Sequence, residues 1–152
     1  MAFRLSMGLR NGMLGTAGMN FYELLNNGWM DIFSGSQPID ADQAETGVKL
    51  CRISSTCGTN VGDGLQLGTS GNGILPIGSP AWQGVVEVAG VAGWFRYYGS
   101  AGTGGSAGSS NTAIRFDGSV AVSGGDLNLS HTDLALDSTV TIKNGNFTQP
   151  KE

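Results

Sequence analysis

The apolar positions change their period once, near residue 28. Before it, Phe3, Met7, Arg10 and Leu14 fall at helical spacing, and so do Leu9 and Met13. This predicts a short helix near residues 3–14 and a further helical turn at Phe21–Leu25, stopped by Asn26-Asn27-Gly28. Gly8, Gly12, Gly15 and Gly18 weaken the first helix, each by about 1 kcal/mol relative to alanine. After residue 28 the apolar runs become short. Trp29–Ser34, Val48–Ser54, Leu65–Leu67, Gly73–Ile77, Trp82–Ala89, Gly93–Gly99, Thr112–Phe116 and Ser119–Ser123 read as strands separated by turn residues. Ile39–Gly47 reads as a polar loop or a single helical turn.

The clearest alternation comes last. Leu134, Leu136, Val140 and Ile142 share one parity, while Asp133, Asp137, Thr139, Thr141 and Lys143 share the other. Such a segment buries one face and exposes the other. The pattern predicts a mainly β chain: a single-domain antiparallel β-sandwich or barrel, jelly-roll-like, over residues 29–152. A short N-terminal helix or arm, residues 1–28, precedes it. Ser100–Asn111 is expected to be a flexible hairpin loop, and Asp117-Gly118 a hairpin turn.

The segment Gly93–Gly99, GWFRYYG, places Trp94, Arg96 and Tyr98 on one face and Phe95 and Tyr97 on the other. A sheet buries only one face in its own core. The parity relative to the other strands is open, so the sequence does not say which half faces out; if Trp94, Arg96 and Tyr98 do, Phe95 and Tyr97 are core. Trp94, Arg96 and Tyr98 are the better candidates for a protein interface, because these residue types dominate interface energetics. Val86, on the parity of Trp82 and Val88, is expected on one face of its strand. At the N-terminus, Phe3, Leu9 and Met13 are apolar within a segment too rich in glycine to fold alone. They are expected to join the interface, ordered by a neighbouring protein.

Composition sharpens this picture. Only 13% of residues are charged, about half the usual share, which suits a chain surrounded by neighbours. The 26 glycines have no collagen-like period and sit between the apolar runs, as turns do. The net charge is −4 with no cluster of Lys or Arg, so a nucleic-acid partner has no electrostatic support. No run approaches the roughly 20 apolar residues of a membrane-spanning helix, and the N-terminus does not read as a signal peptide. The chain is expected to be made in a cytoplasm, with Cys51 and Cys57 reduced. On one straight strand these cysteines would stand about 20 Å apart, whereas a hairpin between them would bring them together.

Candidate chemistry is sparse. His131 is the one histidine, and no G-x-S-x-G turn supplies a nucleophile for it. Asp40, Asp42 and Glu45 offer carboxylates, but not in the calcium-loop pattern. The glycine-rich stretches lack the Lys-Ser/Thr and following helix of a phosphate loop. No catalytic, cofactor-binding or metal-binding residue is assigned.

Four phrases, in this order, carry a resemblance: MAFRLSMGLRNGML, NNGWMDIFSGSQPIDADQAETG, AGWFRYYG and AIRFDGSVAVSGGDLNLS. Together they resemble small virion structural proteins of tailed bacteriophages, over most of the chain. The resemblance implies a non-enzymatic particle component, assembled in the host bacterial cytoplasm and contacting other virion proteins and copies of itself. It carries no site residues. Among particle roles, a capsid decoration protein bound to the major capsid protein is expected first. A tail or baseplate component is the alternative, and a carbohydrate- or receptor-binding module using the aromatic cluster is a further one.

Overall fold

A computed structural model describes residues 3–16, 18–55 and 64–148 of the chain. The protein is mainly β, with 39% strand against 11% helix, in antiparallel sheets. Arg4–Leu5 forms strand β1, followed by helices α1 (Met7–Met13) and α2 (Phe21–Leu25). The strands β2 (Trp29–Ser34), β3 (Lys49–Ile53), β4 (Ile74–Pro76), β5 (Trp82–Val85) and β6 (Gly90–Tyr98) come next. A 3-10 turn at Ala101–Thr103 leads to β7 (Arg115–Ala121), β8 (Leu127–Asn128), β9 (Asp133–Leu134), β10 (Thr139–Ile142) and β11 (Asn146–Thr148).

The main sheet has the order β1-β7-β6-β2-β3, with β9 antiparallel to the start of β6 and β8 parallel to the end of β7. Single bridges from Cys51 to Val86 and from Ser54 to Gln83 continue the path from β3 to the β5 segment. Strand β5 in turn pairs with β10. The strands therefore follow one curved course, β1-β7-β6-β2-β3-β5-β10, and β11 with β4 forms a separate pair.

One face of this sheet carries the apolar core. Met30 and Ile32 from β2, Phe95 and Tyr97 from β6, and Phe116 and Val120 from β7 are all buried there. The rings of Tyr97 and Phe116 stack at 5.1 Å. Burial of each such side chain stabilises by roughly 1.5–3 kcal/mol. The N-terminal segment belongs to the same core. Leu9, Leu24 and Leu25 are fully buried in it, and Arg4 and Leu5 pair with Asp117 and Phe116 of β7. Ser6 caps α1 by accepting from the Leu9 N–H at 3.0 Å and donates to the Ala113 carbonyl at 2.7 Å. Helix α2 opens on a capping box between Asn20 and Glu23. The described part of this segment is thus ordered by the chain's own sheet, and the expected helix start at residue 3 is a strand instead.

Three further expectations are corrected. Asp117-Gly118 is not a turn. Strand β7 runs straight through it because Asp117 and Gly118 pair with Arg96 and Phe95 of β6. A Cβ at Gly118 would lie 2.5 Å from the Phe95 ring, so this glycine makes room for core packing. The alternating segment 133–143 is two strands, because Asp137 has a φ of 63° and turns the chain. Leu134, Val140 and Ile142 are buried, but Leu136 sits in that turn and is 57% exposed. The strand beginning at Trp82 ends at Val85, so Trp82 and Val86 are buried while Val88 is exposed. Cys51 is a buried free thiol. The question of its pairing falls on Cys57, which lies outside the described residues.

Candidate functional site

The second face of the main sheet is built from the opposite parity. Trp29, Asp31 and Phe33 of β2 stand beside Tyr98, Arg96 and Trp94 of β6. Arg115 and Asp117 of β7 come next, with Arg52 of β3 on the far side. Aromatic pairs stack across the strands, Trp29 on Tyr98 at 4.7 Å and Phe33 on Trp94 at 4.5 Å. Two guanidinium groups lie over the indoles, Arg52 at 5.5 Å from Trp29 and Arg96 at 5.4 Å from Trp94.

Trp94, Arg96 and Tyr98 were expected to face a partner. They are instead 0%, 0% and 1% exposed within the single chain. The cover is the chain's own loop of residues 36–46. Its two ends meet at Gly35 and Gly47, both at positive φ. A Cβ at Gly47 would fall 1.9 Å from the Ser34 carbonyl oxygen, so only glycine closes the loop there. Phe95 and Tyr97 lie in the apolar core, on the opposite side of the sheet.

Sheet arginines hold the loop down. Arg96 makes a two-pronged pair with Asp117, at 2.6 and 2.8 Å, and also donates to the Gln43 carbonyl at 2.8 Å and to Glu45 at 2.9 Å. Arg115 donates to the Ala41 carbonyl at 2.6 Å and the Ser106 carbonyl at 2.8 Å. Arg4 donates to the Pro38 carbonyl. Glu45 accepts from the Tyr98 hydroxyl at 2.8 Å and from the Gly108 N–H at 3.0 Å. The glycine-rich segment 100–111 is therefore anchored, through Gly108 and through Ser110, whose N–H donates to the Asp42 carbonyl at 2.8 Å.

Burial pushes the Glu45 carboxyl up, but the N–H groups of Glu45 and Gly108, the Tyr98 hydroxyl and Arg96 outweigh it and hold the group below its usual value. Burial raises the Asp117 carboxyl, against the pull of Arg96. Burial also pushes the Cys51 thiol up to about 12, which leaves it unreactive at neutral pH. Asp40 and Asp42 have separate structural duties. Asp40 accepts from the Asp42 N–H at 2.8 Å, and Asp42 accepts from the Met7 N–H at the start of α1 at 2.9 Å. Among the described residues no group of three or more metal-ligating side chains comes together.

The apolar face opens into a cleft of about 1580 Å³. Its lining includes Phe3, Leu5, the segment 126–131 and the run 138–148, together with Phe95, Phe116 and Trp82. Phe3 is partly exposed and packs on Phe116 at 4.8 Å, and Met13 reaches the rim. Leu9 is fully buried and takes no part in it. His131 borders the cleft, exposed, and shares a 3.0 Å hydrogen bond with the adjacent Ser130. Sequence patterning missed Asp117, Arg115 and Glu45 as members of one cluster. The alternation Arg115-Phe116-Asp117 was visible, but Glu45 carries no local signal. No protein family, curated protein or solved structure matches this chain.

Proposed function

We propose that this chain is a non-enzymatic structural protein of a tailed-bacteriophage particle, and within the particle a capsid decoration protein that binds the major capsid protein. The observation that carries the assembly reading is the open cleft of about 1580 Å³ on the apolar face. Exposed Phe3, Tyr22 and Ile74 line it among polar side chains, and a neighbour seated there would cover them. The charged groups concentrated on the other face are bound to one another and to loop carbonyls, an arrangement suited to holding a structure rather than turning over a substrate. The resemblance of four ordered phrases to virion proteins supplies the particle, and assembly then takes place in the host bacterial cytoplasm. The carbohydrate-binding alternative loses its platform, because Trp94 and Tyr98 are buried.

Imaging of the particles, with copy number per particle, tests this reading. The expected result is on the order of hundreds of copies in symmetric positions on the head. About six copies in the tail would move the protein to the tail or baseplate, and absence from purified particles would overturn the proposal.

A further inference from the structure

The longest strand edge left open among the described residues is that of β10, Thr139–Ile142. Its inner edge pairs with β5, Val140 opposite Gly84 and Ile142 opposite Trp82. The Val86 N–H donates to the Ser138 carbonyl at 2.9 Å. Antiparallel bonding alternates, so the Ser138 carbonyl and the backbone groups of Val140 and Ile142 are directed to β5. Thr139 and Thr141 direct theirs to the open edge, which borders the cleft.

This edge lacks the usual protection. It holds no proline, no bulge and no charge within the strand, and its Thr-Val-Thr-Ile sequence has high strand propensity. Two other margins of this course are short or blocked. Strand β1 is two residues long and carries Arg4, and the outer side of β3 is bridged to Gln83 and Val86.

We propose that a second copy of this chain occupies the edge, β10 against β10, in an antiparallel two-fold pair. An antiparallel pair of identical strands is self-complementary. With the axis beside Val140, Thr139 of each copy exchanges hydrogen bonds with Thr141 of the other. That register brings Lys143, just past the strand, toward the turn at Asp137 of the other copy, at both ends of the pair. Both side chains are exposed, as are the two threonines. Opposite charges and paired threonines are favourable cross-strand neighbours, and the register gains both at once. The inference rests on the assembly reading for its purpose, but its test needs no particle.

Sedimentation of the purified full chain at roughly 100 µM is the first measurement. It should give a dimer. Amide exchange at Thr139 and Thr141 should slow as concentration rises. Thr141→Pro removes an open-edge N–H without touching the β5 ladder, and should be monomeric with an unchanged circular dichroism spectrum. Lys143→Glu should weaken the dimer by about tenfold at low salt, less at high salt. This last variant keeps the test decisive if the proline variant fails to fold. A monomeric wild-type chain, a folded Thr141→Pro variant that dimerises normally, or exchange at Thr139 and Thr141 independent of concentration would each overturn the proposal. A dimer with this behaviour in a protein absent from particles would leave the edge pairing standing and remove only the particle assignment.

Discussion

The two faces of the main sheet are both buried, by different physics. The face carrying Phe95, Tyr97 and Phe116 is covered by helices and by strands arriving from far along the chain, and it ends in an open cleft. The face carrying Trp94, Arg96 and Tyr98 is covered by the loop 36–46 with segment 100–111 bonded to it, pinned by arginines through carbonyls and a carboxylate. Apolar packing is non-directional and tolerates a gap. A buried ion pair does not, because each charge left without a partner costs several kcal/mol. The charged face is accordingly closed: Arg96 and Asp117 are both fully buried and bonded to each other.

The largest effect should come from separating that pair. Arg96→Leu leaves Asp117 buried without its partner, and urea denaturation should register a loss of about 3–5 kcal/mol. The double change Arg96→Met with Asp117→Leu should recover part of it, since it removes the unpaired buried charge while the bonds from Arg96 to Gln43 and Glu45 stay lost. If the double variant is as unstable as the single one, the pair is not the reason the face is closed.

On the apolar face, Phe116→Ala should cost about 3 kcal/mol in the same assay, the lower end for such a truncation, because the site borders the open cleft. A loss above that of Arg96→Leu would reverse the comparison.

Glu45→Gln should cost about 1–2 kcal/mol, the value of charge-assisted bonds discounted for partial exposure. Its folded-state value is depressed, so its contribution is complete above the unfolded carboxylate value of about 4.3 and is lost as pH falls through the depressed folded value. Asp117 is raised and works oppositely, its burial cost being relieved as pH falls. The readout is therefore local: the Gly108 amide resonance should titrate below the ordinary carboxylate range, and Glu45→Gln should abolish that titration.

The smallest effect should come from Lys49 and Glu87, a pair at 3.1 Å with both side chains about one-third exposed. Glu87→Gln should change stability by less than about 0.5 kcal/mol. A loss approaching that of Arg96→Leu would show that burial does not separate the two kinds of ion pair.

By itself the sequence determined the period and hence the parity. Trp29–Ser34 and Phe21–Leu25 are the elements expected, because a strand's alternation and a capped helical turn are local properties of the backbone. The split of GWFRYYG into Phe95 and Tyr97 against Trp94, Arg96 and Tyr98 is local too, but that Phe95 and Tyr97 are the half in the apolar core was decided by the tertiary structure. What covers the second face was decided only by the tertiary structure. Glu45 lies 51 positions from Arg96 and 53 from Tyr98, and nothing near either end of those contacts announces the other. The same holds for Asp117-Gly118. Its turn preference is a weak local tendency, and pairing to β6 and the Arg96 ion pair override it. Tertiary contacts decide wherever the local energies of alternatives differ by less than a single long-range bond contributes.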